Sequence, residues 1–352
     1  MLDFYKDKRV FITGHTGFKG SWLSQILIMA GAKVYGYSKM PSTNPSLFNI
    51  LDLDKKMISK IGDIRNREEL ERCILEFQPE IVFHLAAQPI VRESYKDPVY
   101  TFETNVIGTV NLLESIRRCE SVRSVVNITT DKVYENKEWE WGYRENESLN
   151  GFDPYSNSKS CSELVTSSYK NSFFSNNEEI SVSTARAGNV IGGGDFSIDR
   201  IIPDCIRAAI NNKDVVLRNP NSIRPYQHVF EALRAYLILA EKQYGNKSIE
   251  GCYNIGPDEK DCIRTKEIAQ VFCKEWGCMS FKCESIENVL HEANYLKLDC
   301  SKIKSKLLWE PKMNICEAIR LTVKWSKAYF EKLDIVKVSE NMIDDYLSLI
   351  HI

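Results

Sequence analysis

A tyrosine and a lysine four residues apart have the clearest chemical use of any pair in this sequence. Tyr155 and Lys159 follow Asp153-Pro154, a pair typical of a helix start, and positions i and i+4 share one face of a helix. A free phenol has a pKa near ~10 and is a weak base at neutral pH. A fixed ammonium beside it favours the phenolate, and lowering the pKa from about 10 to about 7 takes roughly 4 kcal/mol. Such a phenolate would take the proton from a hydroxyl whose carbon gives up a hydride.

Three polar residues, Thr130, Asp131 and Lys132, follow a short apolar strand predicted at Ser124–Thr129. Strands and helices alternate over roughly the first 185 residues, which predicts a doubly wound parallel α/β sheet of the Rossmann type, with a smaller C-terminal lobe. Ligands of such sheets bind at the carboxyl ends of the strands. We therefore expect these three residues and Tyr155 to meet at that edge.

A glycine turn near the start predicts a dinucleotide site. The strand Arg9–Thr13 precedes Gly14, Gly17 and Gly20, and an apolar stretch of helical length, Trp22–Ala30, follows. The glycines let the backbone approach a pyrophosphate, and the helix N-terminus offers N–H groups to it. The spacing is G-x-x-G-x-x-G rather than G-x-G-x-x-G.

The choice between NAD and NADP stays open. The second strand, Lys33–Tyr37, is followed by Ser38 and Lys39, where NAD-binding proteins of this type usually carry an acid. We predict NAD, with NADP as the alternative, because Lys39 could meet a 2′-phosphate. Asp63 is predicted to accept from the adenine amino group, and it could also cap the helix Arg67–Phe77.

Small residues after the strand Glu80–His84 would suit a backbone pressed against the cofactor, whereas His84 itself is predicted to be packed in the core. The residues predicted to bind the cofactor are Gly14, Thr16, Gly17, Phe18, Lys19, Gly20, Asp63, Ile64, Leu85, Ala86, Ala87, Asn105, Tyr155 and Lys159.

The organisation of the sequence changes after Gly188. A loop with three consecutive glycines follows, and Tyr253–Pro257 is typical of a strand end that returns to the sheet. We expect residues 1–188 plus about 224–258 to form the dinucleotide-binding domain. Residues from about 189 to 223 plus 259–352 would form a lobe that closes over the cofactor.

Two helices have more apolar surface than one buried face requires. Asp97-Pro98 predicts a helix that runs to about Arg118, and a second helix is predicted at Tyr155–Phe174. The first carries one apolar stripe at helical spacing and a second set of apolar residues beside it. We expect the two helices to pair with those of a second copy in a four-helix homodimer seam.

Composition is that of an ordinary globular protein. Of its 352 residues 43% are hydrophobic and 27% charged, and 46 basic residues nearly balance 48 acidic ones, which gives no general attraction to nucleic acid or membranes. The first residues lack a long apolar run, so we expect a cytoplasmic protein with reduced cysteines. Cys273, Cys278 and Cys283, with His291 beyond them, fit no zinc motif, and no metal is predicted.

Several longer motifs carry a family resemblance that covers nearly the whole chain. They are T-G-H-T-G-F-K-G-S-W-L, H-L-A-A-Q-P-I-V-R-E-S-Y, T-T-D-K-V-Y-E-N, W-G-Y-R-E-N, D-P-Y-S-N-S-K, R-A-G-N-V-I-G-G-G-D, R-P-Y-Q-H-V and H-E-A-N-Y-L-K-L-D. With them the sequence resembles the extended short-chain dehydrogenase/reductases and, within these, is similar to the CDP-glucose 4,6-dehydratases. The first and fifth motifs are shared widely, whereas the Asp-Lys pair and the last motifs are narrower.

The resemblance implies a redox-assisted dehydration of CDP-glucose to CDP-4-keto-6-deoxyglucose by an NAD-dependent lyase, in deoxysugar biosynthesis for lipopolysaccharide O-antigen. Tyr155 would deprotonate the 4-hydroxyl as hydride leaves C4 for the nicotinamide. Water would then leave across C5 and C6, and hydride would return to C6. By the same resemblance Thr130 would hydrogen-bond the 4-oxygen, and Lys159 would orient the nicotinamide ribose and tune Tyr155.

Elimination needs one group to protonate the departing 6-hydroxyl and another to remove the C5 proton. The resemblance implies Asp131 as the acid, with a raised pKa, and Lys132 as the base, with a lowered one. An ion pair between the two would shift both pKa values in the wrong direction. Lys132 would alternatively stabilise the enolate as a cation.

The sugar nucleotide needs partners for its diphosphate, and arginines bind diphosphates through bidentate, charge-assisted bonds. Arg224 is the first candidate and Arg218 the second, Asn189 would hold a phosphate or sugar oxygen, and Tyr295 would pack on the base. The residues predicted to bind substrate are Gln88, Asn189, Arg200, Arg218, Arg224 and Tyr295.

Two alternatives remain. One is a 4,6-dehydratase, C4-epimerase or reductase acting on a GDP-, UDP- or dTDP-linked sugar; epimerisation at C4 needs no paired acid and base such as Asp131-Lys132. The other is a non-catalytic dinucleotide-binding regulator, which would tolerate the loss of Thr130, Tyr155 and Lys159.

Overall fold

The computed structural model describes residues 2–175, 179–217, 219–277, 280–283 and 295–349. Its strands are β1 (Arg9–Thr13), β2 (Lys33–Ser38), β3 (Ile58–Ile61), β4 (Ile81–His84), β5 (Ser124–Ile128), β6 (Ser181–Ala187), β7 (Val190–Ile191), β8 (Val215–Leu217), β9 (Gln227–His228), β10 (Cys252–Ile255) and β11 (Phe281–Cys283). Its α-helices are α1 (Leu2–Tyr5), α2 (Phe18–Met29), α3 (Leu47–Ile50), α4 (Arg67–Phe77), α5 (Val91–Lys96), α6 (Pro98–Phe102), α7 (Gly108–Arg117), α8 (Pro154–Tyr169), α9 (Ile201–Ile210), α10 (Val229–Gln243), α11 (Thr265–Trp276), α12 (Ser301–Leu307), α13 (Ile315–Phe330) and α14 (Ile335–Ser348).

Seven parallel strands form the central sheet in the order β10-β6-β5-β4-β1-β2-β3. The central strands β4, β5 and β6 are buried along their whole length, as expected for strands covered by helices on both faces. Chain order reverses between β1 and β4, which is the switch point at which such sheets bind ligands. The predicted Rossmann-type fold is confirmed.

The two helices that face each other beside the sheet begin as predicted. Asp97 caps α6 by accepting from the Tyr100 N–H at 2.9 Å, and a π-helical turn, Glu103–Ile107, joins α6 to α7. Asp153 caps α8 by accepting from the Ser156 N–H at 3.0 Å. A second π-helical turn, Lys170–Phe174, extends α8.

The second lobe has a core of its own. Apolar residues of α9, α11 and α13 pack together with β8 in a separate hydrophobic cluster, of which Ile206, Phe272 and Ile319 are buried members. The chain returns to the sheet through α10 and β10, and β10 pairs with β6. The predicted strand return at Tyr253 is confirmed.

No helix in the described ranges is long and apolar enough to cross a membrane. Within the same ranges, no group of three or more His, Cys, Asp or Glu side chains could hold a metal ion, and the cysteines are free thiols. Cys278 and His291, which the zinc hypothesis needed, lie outside the described residues.

Candidate active site

A cavity of about 280 Å³ opens at the carboxyl edge of the sheet, between the two lobes. It brings together residues that are far apart in sequence, because α2, the loop after β4 and the ends of β5 and β6 meet there with loops of the second lobe. Seven predicted site residues line it, namely Lys19, Thr130, Lys132, Tyr155, Asn189, Arg200 and Arg224. Asp131 and Lys159 lie behind this lining and are 1% and 4% exposed.

Tyr155 and Lys159 occupy one face of α8, as predicted, but the expected fall in the phenol pKa is not found. Burial raises the pKa of Tyr155 to about 12, and a hydrogen bond with Thr130 opposes this rise only in part. Burial also lowers the pKa of Lys159 to about 8. The Lys159 ammonium donates to the Ile128 carbonyl at 3.1 Å. In the free protein, loss of hydration is therefore the largest influence on both groups.

Thr130, Asp131 and Lys132 form a bonded group at the end of β5. The Asp131 Oδ1 accepts from the Thr130 hydroxyl at 2.9 Å and from the Lys132 ammonium at 3.1 Å. Lys132 also donates to the Asn189 side-chain oxygen at 3.2 Å. The buried Asp131 Oδ2 has no hydrogen-bond partner in the described part of the chain. Asp131 and Lys132 therefore form the ion pair that would oppose the roles predicted for them, Asp131 as the acid and Lys132 as the base.

The glycine turn and the start of α2 fit a dinucleotide pyrophosphate. Gly14 has φ +78°, and a Cβ there would lie 2.6 Å from the Ala86 nitrogen, so only glycine lets the turn approach the loop after β4. No side chain caps α2 at Gly17. The N–H groups of its first turn, at Phe18, Lys19 and Gly20, therefore face the anion site of a helix N-terminus. Thr16 does not face that site, because its hydroxyl donates to the Lys39 carbonyl at 2.8 Å.

The Lys19 side chain points into the cavity rather than along the turn. Burial lowers its pKa to about 7, and the nearby charges of Arg200, Lys159 and Lys132 act in the same direction while that of Asp131 opposes them. This end of the cavity is therefore rich in cationic groups, as a site for two diphosphate-bearing ligands requires.

Two predicted ligand-binding amides are instead engaged inside the protein. The Asn105 side chain accepts from the Gln88 N–H at 2.8 Å and donates to the Gln88 carbonyl and to the Ser158 hydroxyl. The Gln88 amide donates to Thr101 and accepts from the Ile90 N–H. Both residues fix the loop that follows β4 onto α8, and Gln88 does not line the cavity. Leu85 and Ala86 are held by Thr13, whose carbonyl and hydroxyl accept from their N–H groups, and Ala87 follows them in this fixed loop.

The residues predicted to bind the adenine end of the cofactor already have partners within the protein. The Asp63 carboxylate accepts several bonds from Arg65, which lower its pKa. The alternative that Asp63 caps the following helix is wrong, because Asn66 caps α4 by accepting from the Glu69 N–H. Ile64 packs into the core, so it can offer only backbone groups.

Lys39, the residue that left NADP open as the cofactor, donates to the Tyr100 hydroxyl at 3.2 Å, and its ammonium lies over the Tyr100 ring.

His84 is a packed core residue, as predicted: its ring bonds to the hydroxyls of Thr13 and Thr109. Burial lowers the pKa of His84 to about 3.

The substrate side of the cavity contains two ion pairs that sequence reasoning missed. Arg200 donates to Asp195 at 3.1 Å, and Arg92 lies 3.4 Å from Asp199 across the cavity. The only sequence signal for these acids was their place in the loop after the three glycines. Arg224 lines the cavity and is 8% exposed.

The two remaining predicted substrate residues are Arg218 and Tyr295. Arg218 lies outside the described residues. Tyr295 is bridged to Ile223, and its ring lies under the Lys297 ammonium. The role predicted for Tyr295 therefore has no support from this geometry.

The chain matches known proteins over nearly its whole length. A family model described as GDP-mannose 4,6 dehydratase matches residues 11–322. The chain is 50% identical over 356 aligned residues to the CDP-glucose 4,6-dehydratase of Salmonella typhimurium, covering 99% of both proteins. The UDP-glucose 4-epimerase of Thermus thermophilus, solved with NAD, matches with a TM-score of 0.78 and 26% identity over 91% of this chain and 99% of that one.

A dTDP-glucose 4,6-dehydratase from Bacillus anthracis, also solved with NAD, matches with a TM-score of 0.77 and covers 94% of this chain and 99% of its own. At 22% identity this likeness shows the fold alone. The family match extends from β1 into α13 and therefore includes both the glycine turn and the cavity. The chain belongs to the GDP-mannose 4,6 dehydratase family.

Proposed function

We propose that this protein is an NAD-dependent CDP-glucose 4,6-dehydratase, a hydro-lyase that forms CDP-4-keto-6-deoxyglucose. The observation that carries the proposal is that Thr130, Lys132 and Tyr155 line one cavity, with the Asp131 carboxylate bonded to the first two. Support for CDP-glucose as the substrate comes from the relative that is 50% identical over 99% of both chains.

NAD would be held by the glycine turn, the first turn of α2 and the loop after β4. When bound, it would supply reversible hydride transfer, accepting a hydride from C4 of the sugar and returning it to C6. Support for NAD rather than NADP comes from the Thermus thermophilus structure solved with NAD. Lys159 would orient the nicotinamide ribose.

Tyr155 would remove the proton from the sugar 4-hydroxyl, and Thr130 would hydrogen-bond the 4-oxygen. A phenol with a pKa of about 12 is a poor base, so the step needs further positive charge at the site. The Lys159 ammonium, which has a pKa of about 8, is charged at neutral pH. The cationic ring of the bound cofactor would act in the same direction.

Asp131 and Lys132 would carry out the elimination once the 4-ketone has made the C5 proton acidic. Asp131 would protonate the leaving 6-hydroxyl, and Lys132 would remove the C5 proton or stabilise the enolate as a cation. In the free protein the two side chains are engaged with each other in an ion pair of 3.1 Å. We therefore expect the sugar to separate the two side chains when it enters the cavity.

The diphosphate of the substrate would bind Arg224 and Arg200, and Asn189 would hold a phosphate or sugar oxygen. In this arrangement residues 1–188 plus about 224–258 are the dinucleotide-binding domain. The remaining residues, from about 189 to 223 plus 259–352, are the nucleotide-sugar-binding lobe.

Exposed apolar side chains on α6, on α8 and on the π-helical turns that follow them support a homodimer built through a four-helix bundle. Val99, Ile107, Leu164 and Phe173 are between 49% and 67% exposed, and α7 packs directly against α8. An apolar surface of this kind marks an interface. The dimer would work in the cytoplasm, and its product would feed deoxysugar synthesis of the kind used for lipopolysaccharide O-antigen.

Incubation with CDP-glucose and NAD in deuterated buffer, followed by proton NMR, tests the proposal. We expect a 4-keto-6-deoxy sugar with solvent deuterium at C5. A C4-inverted sugar would identify an epimerase instead. No change in CDP-glucose or in GDP-, UDP- and dTDP-glucose would favour the non-catalytic regulator.

A further inference from the structure

A buried ion pair that the proposed chemistry does not use lies directly behind the active site. Glu163 and Arg186 are each 2% exposed, and their side chains meet at 2.9 Å. Glu163 follows Lys159 by four residues and Tyr155 by eight, so all three share one face of α8. A buried ion pair is not needed for stability, since apolar residues of similar volume often serve as well.

The Glu163 carboxylate holds the end of β5 against α8. Its Oε1 accepts from the Thr129 hydroxyl at 2.5 Å, and its Oε2 accepts from Thr184 at 2.7 Å as well as from Arg186. Lys159 binds the Ile128 carbonyl one turn earlier on the helix. Consecutive turns of α8 therefore hold Ile128 and Thr129, the two residues that lead from β5 to Thr130.

Arg186 holds the other end of the same segment. Its guanidinium donates to the Tyr134 hydroxyl and to the Glu145 carbonyl, both at 2.9 Å. The Tyr134 hydroxyl in turn donates to Asn254 at 2.6 Å. Residues 129–134 are thus anchored at both ends by one ion pair, and the residues between the anchors include Thr130, Asp131 and Lys132.

We propose that Glu163 and Arg186 are the positioning residues of this active site: together they set the separation between Tyr155 on α8 and the Thr130–Lys132 group on the β5 loop. The inference rests on the proposed function. Loss of the ion pair would leave both groups in place but free to shift, and errors of about 1 Å in such geometry cost about a hundredfold in rate. The effect is expected in kcat rather than in KM, because neither residue lines the cavity.

The charge of Glu163 gives a second, electrostatic readout. It raises the pKa of Lys159 against the lowering effect of burial. The other titratable groups near Lys159 are Lys19, whose pKa burial lowers to about 7, Tyr155 on the preceding turn of α8, and His84, which is neutral above about pH 3. A Glu163→Gln variant therefore loses the acidic group that favours the Lys159 ammonium, and the alkaline limb of kcat moves to lower pH.

The experiment compares Glu163→Gln with Glu231→Gln, which breaks another buried ion pair, with Arg234 on α10. With saturating NAD, we expect Glu163→Gln to lower kcat at least about tenfold with KM changed less than about threefold. We also expect its alkaline limb at lower pH. Glu231→Gln should lower the melting temperature but leave kcat and the pH profile unchanged. A Glu163→Gln variant whose kcat and pH profile match those of Glu231→Gln would overturn the inference.

Two further measurements keep the result decisive. Thr184→Val removes only one hydroxyl bond to Glu163 at a residue that does not line the cavity, so it should fold even if Glu163→Gln does not, and its kcat should also fall. NMR titration of isotope-labelled lysine, assigned with Lys159→Met, reports the Lys159 pKa without substrate. If wild-type protein leaves CDP-glucose unchanged, the proposed function fails, whereas an unchanged Lys159 pKa in Glu163→Gln with active wild type contradicts the positioning role alone.

Discussion

The ammonium of Lys132 lies 3.1 Å from the Asp131 carboxylate, beside Tyr155 in the same cavity. Two adjacent residues of opposite charge would satisfy each other on an open surface, where such a pair contributes little. Here the carboxylate is buried and its second oxygen has no partner in the described ranges. A group that enters the cavity can therefore compete for both side chains, and this is the basis of the first prediction.

Lys132→Met should separate oxidation from water loss. We expect the variant to oxidise C4 of CDP-glucose, because Tyr155, Thr130 and Lys159 are intact, and then to stall before elimination. Single-turnover absorbance of the reduced cofactor should rise and persist, where in wild type it decays. Full dehydration at the wild-type rate would remove Lys132 from the mechanism.

Tyr155→Phe should abolish oxidation while sparing cofactor binding. General bases contribute about 10²–10⁴-fold to rate, so kcat should fall by roughly that factor. The NAD affinity, measured by calorimetry, should be little changed, because the glycine turn and α2 are untouched. A variant that keeps more than about a tenth of the activity would contradict the role of the phenol.

Acid should destabilise the protein through its buried histidines. Burial lowers the pKa of His84 and of His228 to about 3, whereas the unfolded chain binds these protons near about pH 6.5. The unfolded state therefore takes up protons first, and the free energy of unfolding falls as pH drops from about 6.5 towards 3. At pH 5 each histidine should cost roughly 2 kcal/mol relative to neutral pH.

Urea unfolding at pH 7 and pH 5 measures this loss, and His84→Gln serves as the matched variant. Its stability should depend less steeply on pH than that of wild type. Equal slopes for the two proteins would show that His84 does not titrate as its burial requires.

A charge on the exposed face of α8 or of the π-helical turn before α7 should split the proposed dimer. Ile107→Glu and Leu164→Glu place a carboxylate in the expected seam, and burying it without a partner is unfavourable. Light scattering should show a monomer of about half the wild-type mass. Ile58→Glu is the control, since Ile58 is 56% exposed on the edge strand β3 and lies outside these helices.

Periodicity and strand-end position predicted the sheet, the two capped helices and the cluster of Thr130, Asp131, Lys132 and Tyr155. These features depend on local spacing, which the sequence records directly. Gln88 and Asn105 were predicted to contact ligands, but their side-chain amides have partners inside the protein. The Asn105 amide accepts from the Gln88 backbone N–H, and the Gln88 amide donates to the Thr101 hydroxyl. Partners of this kind are set by tertiary packing between loops, and spacing along the chain carries no signal for them.

The pKa of Tyr155 illustrates the same limit. The i, i+4 pattern correctly predicted that its phenol and the Lys159 ammonium share a face, but it could not include the cost of burial, which raises the phenol pKa to about 12. Burial depends on elements far from Tyr155 in sequence, since α8 packs against α5, α6, α7 and β6. The ion pairs Arg92–Asp199 and Arg200–Asp195 were missed because the path of the loop before α9 sets both of them. That path is defined only in the folded chain.

The position of β10 at the outer edge of the sheet, beside β6, has a consequence for synthesis. As the nascent chain leaves the ribosome, β6 appears well before its last neighbour, and part of the second lobe emerges in between. The strand edge of β6 therefore stays uncovered until residue 255 is available. Co-expression of the protein as two fragments divided at Gly188 should leave the first fragment prone to aggregate until the second one supplies the missing strand.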